Sequence, residues 1–193
     1  MPEIRSVAVF CGSRSGNDPE YRAAAEALGR GLAEAGIRLV YGGGRIGLMG
    51  VMANAVLGAG GSVLGVIPEF LTRREVAHER ISELVITDSM HSRKQRMFAE
   101  ADAFVSLPGG LGTLDETIEI ITWRQLGLHA KPVLIANIAG SAAAFLATIE
   151  AAIAADFALA DSRRLFEVMD SITAVLQRLT HLHRVERGEA ARL

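Results

Sequence analysis

Short apolar runs alternate along this 193-residue chain with longer segments in which apolar residues recur every three or four positions. Runs of four or five apolar residues are typical of buried strands, and the longer spacing is typical of a helix that packs on one face. The pattern therefore predicts seven strands and six helices. The predicted strands span residues 7–11, 38–41, 62–66, 84–87, 103–107, 133–136 and 165–169, and the predicted helices span residues 18–35, 48–57, 91–101, 114–125, 141–155 and 172–179.

The order of these elements predicts the fold class. Strands that alternate with helices form a mostly parallel sheet with helices on both faces, because the crossovers are right-handed. We therefore expect an α/β, Rossmann-like, doubly wound fold. Residues 1–180 are expected to form one domain, since half of all residues are hydrophobic and supply a sizeable core. Residues 181–193 are expected to form a polar tail, and residues 69–82 a loop with at most one turn of helix.

Glycine-rich loops follow three predicted strands, after Cys11, Tyr41 and Leu107. Ligands of doubly wound sheets bind beyond the carboxyl ends of the strands. One such loop alone is as often a tight turn as a site, but three at one edge indicate a shared site. Residues 42–47 match a dinucleotide fingerprint, although they follow the second strand, and they fit one phosphate of a mononucleotide equally well. In the first loop, Ser13 either hydrogen-bonds a phosphate or ribose or caps the turn.

The loop after Leu107 combines an anion site with an acidic residue. Pro108 ends the strand, and the glycines that follow let the backbone turn without side-chain clashes. Thr113 is expected to cap the next helix, whose first amides point towards a bound anion. Glu116 is expected in the first turn of that helix. A carboxylate beside a phosphate site makes sense if it faces another part of the ligand, which suggests catalysis.

Arg93 and Lys94 are expected in the first turn of the predicted helix over residues 91–101. The helix dipole favours anions at this end, so two cations there require either solvent or a bound anion. An arginine that reaches across the end of the sheet to face Glu116 would supply the charge that a phosphate or a leaving group requires.

Charge and cysteine content limit the partners and the compartment. The formal net charge of −2 and the absence of a basic run argue against nucleic acid as a partner. Cys11 is the single cysteine, and no apolar run approaches the length of a membrane span, so we expect a soluble, cytoplasmic protein without a membrane partner. The five histidines are not spaced as metal ligands, and we expect neither a metal nor a cofactor.

Three motifs stand out together: Gly42-Gly43-Gly44 with Gly47-Leu48-Met49-Gly50, then Met90-His91-Ser92-Arg93-Lys94, and then Pro108-Gly109-Gly110-Leu111-Gly112-Thr113-Leu114-Asp115-Glu116. With them the chain resembles the LONELY GUY family of cytokinin-activating phosphoribohydrolases over residues 7–179. The resemblance implies hydrolysis of the N-glycosidic bond of cytokinin riboside 5'-monophosphates, and in many members of AMP, to the free base and ribose 5-phosphate. It also implies a homodimer, with the helix after the third motif near the interface.

The resemblance assigns roles to individual residues. It implies that Arg93 and Glu116 are the catalytic pair, and that Glu75 and Thr122 line the base and ribose side. Residues 72–74 depart from the family's pattern just before Glu75. The implied nucleotide ligands are Lys94, Gly110, Leu111, Gly112, Thr113, Leu114, Asp115 and the catalytic pair, and the glycine loops add Ser13, Gly43, Gly44 and Gly109 as candidate substrate-binding residues.

The implied chemistry suits an acidic residue, because cleavage of a ribosyl–base bond passes through a cation-like sugar that an ionised carboxylate stabilises. A non-catalytic carrier of a nucleotide or phosphorylated cofactor is the alternative, since it would use the same sheet and loops. Members of the family have also been labelled lysine decarboxylases. That chemistry needs a Schiff-base lysine, and we reject the label because only Lys94 and Lys131 are available, Lys131 at the wrong end of a strand.

Overall fold

The computed structural model describes residues 4–72 and 77–182 of the chain. Its centre is one sheet of seven strands. They are β1 (Ser6–Phe10), β2 (Arg38–Tyr41), β3 (Val63–Pro68), β4 (Glu83–Thr87), β5 (Ala103–Ser106), β6 (Val133–Ala136) and β7 (Glu167–Met169). The strand order is β4-β3-β2-β1-β5-β6-β7, and every neighbouring pair is parallel.

Six helices cover both faces of the sheet. They are α1 (Pro19–Glu34), α2 (Gly47–Gly58), α3 (Met90–Glu100), α4 (Leu111–Gln125), α5 (Ala143–Ala154) and α6 (Ile172–His181). The first, second and sixth share a core cluster with Val7 and Val9 of β1, and the other three share a second cluster with Ala8 and Phe10. Because successive strand residues point to opposite faces, the central strand β1 is buried on both sides, which confirms the predicted α/β, doubly wound fold.

The start of α4 differs from the prediction, and this difference matters most for the site. The helix begins at Leu111, three residues before the predicted start, because Gly110 is extended (φ −98°, ψ −156°) and serves as the N-cap without a side-chain hydrogen bond. Thr113 therefore lies inside the helix and does not cap it, and Glu116 lies in the second turn. Leu111 is exposed, so the spacing of buried apolar residues gave no sign of this earlier start.

The other helix and strand boundaries lie closer to their predicted positions. A 3₁₀ turn at Glu69–Leu71 agrees with the predicted irregular segment. A 3₁₀ helix at Ala160–Leu165 delays β7 by two residues, and α6 continues to His181, where the tail was expected to begin. Residues 183–193 lie outside the described residues. None of the described helices is both long and apolar enough to cross a membrane.

Candidate active site

Three glycine loops meet at the carboxyl end of the sheet, beside β1. This is the topological switch point, because the chain proceeds from β1 to one side of the sheet and from the adjacent β5 to the other. The N–H of Gly12 donates to the carbonyl of Pro108 (3.1 Å), and the N–H of Leu48 donates to the carbonyl of Gly12 (3.0 Å). These two hydrogen bonds join the loops that follow β1, β2 and β5, as the sequence predicts.

The close approach of these loops requires glycine at two positions. Gly47 has φ +61°, and a Cβ there would overlap the backbone of Ser13. A Cβ on Gly109 would overlap the side chain of Thr113 and would lie 2.9 Å from the backbone nitrogen of Gly12. Any larger residue at either position would therefore separate the loops.

Arg93 on α3 and Glu116 on α4 face each other within this region. Arg93 Nη2 lies 3.4 Å from Glu116 Oε1, and the two residues are only 6% and 8% exposed. A tight charge-assisted hydrogen bond measures about 2.7–2.9 Å, so this ion pair is loose. Arg93 Nε is buried and has no hydrogen-bond partner among the described residues. The expected approach of an arginine to Glu116 is confirmed, and the guanidinium keeps donor capacity for a ligand.

A cavity of about 310 Å³, called the inner cavity below, opens beside this pair. Among the described residues, Arg93 and Glu116 are the two charged groups that line it, one positive and one negative. Charges in such partly apolar surroundings act more strongly than in water. The lining residues are Val9, Phe10, Cys11, Gly12, Ser13, Gly42, Met49, Leu71, Met90, Arg93, Gly110, Leu111, Gly112, Thr113 and Glu116.

A second cavity of about 670 Å³, called the outer cavity, adjoins the first. The two share Gly12, Ser13, Gly110 and Leu111, so the start of α4 lies between them. The first amides of a helix have no acceptor within the helix and attract anions. Of the residues that the structure describes, Arg14 is the one charged residue that lines the outer cavity. The lining residues are Gly12, Ser13, Arg14, Ser15, Gly16, Tyr21, Leu48, Pro108, Gly109, Gly110, Leu111 and Ser141.

Lys94 lines neither cavity and instead joins α3 to α4. Its Nζ lies 3.2 Å from Asp115 Oδ2 and 3.0 Å from Glu119 Oε1. Burial acts to lower the pKa of Lys94, but its hydrogen bonds to Glu119 and Asp115 outweigh burial and raise that pKa. Lys94 and Asp115 were expected to contact the nucleotide, whereas the structure pairs them with each other on the helix surfaces.

Only some of the other residues that were expected to bind the nucleotide line the two cavities. Gly43 and Gly44 line neither cavity, and the carbonyl of Gly43 accepts a hydrogen bond from the backbone of His78. Leu114 and Thr122 are exposed on α4, and Thr122 lies six residues beyond the catalytic candidate, about 9 Å along the helix. Glu75 lies outside the described residues. The structure gathers the others, namely Ser13, Arg93, Gly109, Gly110, Leu111, Gly112, Thr113 and Glu116, around the two cavities.

Sequence reasoning missed several lining residues. Met49 and Met90 belong to the motifs that carry the family resemblance, so their positions beside a glycine loop and Arg93 were a usable signal. Leu71 and Ser141 come from segments without any motif and gave no signal.

None of the described histidines lines either cavity. His78 is buried, its Nε2 lies 3.0 Å from Asn54 Oδ1, and its pKa is lowered by burial and by the nearby Arg45. His129 packs against aromatic rings, and its Nε2 donates to the carbonyl of Ile120. Within residues 4–72 and 77–182, no group of three or more histidine, cysteine, aspartate or glutamate side chains is arranged to hold a metal ion.

Comparison with known proteins finds one matching family model and several relatives that share one name. A family model described as "Possible lysine decarboxylase" matches residues 49–179. A cytokinin riboside 5'-monophosphate phosphoribohydrolase of Oryza sativa subsp. japonica is 48% identical over 84% of this chain and 67% of its own length. An enzyme of the same name from Rhodococcoides fascians is 50% identical over 70% of this chain and 69% of its own length.

A solved structure shows the same fold. The molybdenum cofactor binding protein of Rippkaea orientalis superposes with a TM-score of 0.68 over 93% of this chain and 96% of that one, at 20% sequence identity. At such low identity the similarity concerns the fold alone.

The substitution Gly42→Ala tests the position of Arg93. The added Cβ would overlap Arg93 Nη2, the mobile end of a long side chain, so the guanidinium must move while the fold persists. Loss of one preorganised charge typically costs about 100-fold in rate. We expect a fall of about that size in the base release that the sequence predicts, with an almost unchanged melting temperature. Gly58→Ala is the matched control, since nothing lies within 4 Å of that Cβ. Full activity of Gly42→Ala would contradict the assigned role of Arg93.

The substitution Lys94→Met tests whether Lys94 positions the helices or binds substrate. If it positions them, kcat for the nucleotide substrate expected from the sequence falls by about tenfold, while KM stays nearly constant. Glu119→Gln should have a smaller effect, because Lys94 keeps its contact with Asp115. The double variant should be no worse than Lys94→Met alone, because Lys94→Met already removes the contact with Glu119. A large rise in KM for Lys94→Met alone would instead identify a substrate ligand.

Proposed function

The chain belongs to the LONELY GUY family of cytokinin riboside 5'-monophosphate phosphoribohydrolases, and we propose that it hydrolyses the N-glycosidic bond of such nucleotides and of AMP. The products are the free base and ribose 5-phosphate. The observation that carries this proposal is the buried Arg93–Glu116 pair beside the first turn of α4.

The proposed mechanism uses Glu116 at the sugar. As the bond between C1′ and the base nitrogen breaks, its electron pair leaves with the base and the sugar becomes cation-like, which the ionised carboxylate stabilises. A water molecule bonds to C1′, and Glu116 accepts its proton. Arg93 shares the inner cavity with Glu116, so its positive charge stabilises the departing, electron-rich base until that base takes up the proton that Glu116 accepted from the water. The helix start holds the nucleotide in register.

A carrier function is the less favoured alternative. A cofactor-binding protein shares the fold at 20% identity, but the phosphoribohydrolases are 48% and 50% identical over most of this chain. The carrier alternative also gives no role to the buried pair of opposite charges.

Lysine decarboxylation does not fit the residues present. Pyridoxal phosphate chemistry needs a lysine amine that is free to form a Schiff base inside the site. Lys94 is held by two carboxylates, and Lys131 donates to the carbonyl of Phe98 (2.6 Å), away from the glycine loops. No step of the proposed reaction therefore involves this cofactor.

The proposal includes a homodimer formed through α4. Large apolar side chains are exposed along this helix, and a second copy is the partner that would cover them. Thr122 would then lie in the interface. The proposed location is the cytoplasm, where nucleoside 5'-monophosphates occur. The exposed apolar residues of α4 are Leu111, Leu114 and Ile118, and Leu126 follows at its end.

Glu116→Gln tests the catalytic role. The amide keeps the shape of the side chain but lacks the charge that stabilises the sugar cation, so base release from AMP should fall by at least about 100-fold while AMP still binds. Chromatography of free adenine and calorimetric titration of AMP measure the two effects. Glu20→Gln, on the exposed start of α1, is the control. If the wild-type protein binds AMP and isopentenyladenosine monophosphate but releases base from neither, the chain is a carrier.

Ile118→Glu tests the dimer. A charge in the middle of the apolar stripe of α4 should convert the dimer to a monomer, because a buried unpaired carboxylate is strongly unfavourable. Light scattering after size exclusion gives the mass directly. Val168→Glu places the same charge on the exposed residue of edge strand β7 and should leave the mass unchanged. A monomeric wild-type protein would refute this part of the proposal.

A further inference from the structure

The nucleotide's phosphate lacks an obvious positive partner among the expected ligands. A phosphate monoester carries close to two negative charges at neutral pH, and a helix start supplies only about half a charge. Arg93 faces Glu116 in the inner cavity, so the pair is neutral overall. Lys94 is held by Asp115 and Glu119 and lines neither cavity.

Arg14 is a candidate for the positive partner of the phosphate. It lines the outer cavity together with Gly109, Gly110 and Leu111, at the start of α4. Within residues 4–72 and 77–182 no acidic residue lines this cavity, so Arg14 and the helix start make this part of the site electropositive. The structure records no ion pair between Arg14 and another described residue, and the side chain is exposed. Its guanidinium is therefore free to bind an anion, and a guanidinium fits phosphate oxygens in a two-pronged geometry.

The backbone of Arg14 is fixed relative to α4. The first loop is hydrogen-bonded through Gly12 to Pro108 on one side and to Leu48 on the other. A Cβ on Gly47 would lie 2.5 Å from the backbone nitrogen of Arg14, so the backbone of the second glycine loop packs closely against the backbone of Arg14. Only the side chain of Arg14 has to move to reach a ligand at the helix start.

We propose that Arg14, with the first amides of α4, binds the 5'-phosphate of the nucleotide in the outer cavity. This inference rests on the proposed function. The sugar then passes the shared residues Ser13 and Gly110 into the inner cavity, where Glu116 faces C1′. Arg93 is left to act on the departing base and does not bind the phosphate. Arg14 thus selects nucleotides over nucleosides.

The test uses the two reaction products, which bind without turnover. Calorimetric titration of ribose 5-phosphate and, separately, of adenine is carried out on the wild-type chain, Arg14→Ala, Arg14→Lys and Arg45→Ala. Arg45 is an exposed arginine of the neighbouring glycine loop that lines neither cavity. Arg14→Ala should bind ribose 5-phosphate about tenfold more weakly, which corresponds to one lost charge-assisted contact. Its affinity for adenine should not change, Arg14→Lys should recover part of the loss, and Arg45→Ala should match the wild type.

The outcomes separate this inference from the proposed function. Equal affinity of Arg14→Ala and wild type for ribose 5-phosphate would overturn the role of Arg14, as would an equal loss for ribose 5-phosphate and adenine. Neither result would affect hydrolysis by the wild-type chain. If the wild type instead released no base from AMP while Arg14 still controlled ribose 5-phosphate binding, the hydrolase proposal would fail and the phosphate assignment would stand.

Discussion

The buried ion pair between Arg93 and Glu116 is the interaction on which the site depends. Moving two charged groups out of water is costly, and their attraction compensates only if their geometry is held. Two features hold it. Gly42 leaves space for the guanidinium because it has no side chain, and Lys94 ties α3 to α4 through two carboxylates. The separation of 3.4 Å is longer than a tight charge-assisted hydrogen bond, and Arg93 Nε, which has no partner among the described residues, keeps donor capacity for a ligand.

The sheet topology brings the pair together. Helix α3 returns the chain from the edge strand β4 to β5, which adjoins the central strand β1, and α4 leaves β5 directly. Both helices pack on the same face of the sheet, so two motifs that are separated in sequence become neighbours at the switch point. The same topology occurs in a cofactor-binding protein. The fold therefore provides the position of the site, and the side chains placed there decide what it does.

The two cavities of the site differ in the charge of their lining residues. The inner cavity contains one positive and one negative side chain, whereas the outer cavity contains a positive side chain and the electropositive start of α4. A nucleotide has a matching asymmetry, with a doubly charged phosphate at one end and a nearly neutral sugar and base at the other. In the proposed binding mode the phosphate lies apart from Glu116, so the two anions do not repel each other, and a carboxylate beside a phosphate site is no longer a conflict.

The sequence by itself determined the alternation of strands and helices, the fold class and the convergence of three glycine loops. These follow from apolar periodicity and from the rule that parallel strands present their carboxyl ends at one edge. The pairing of Arg93 with Glu116 was implied by the motifs that carry the family resemblance. Tertiary structure alone decided that α4 begins at Leu111, that Lys94 joins two helices, and that Arg14 lines the same cavity as the start of α4. The physical reason is that a charge acts on whatever group lies within a few ångströms, and such neighbours come from distant segments that only folding brings together.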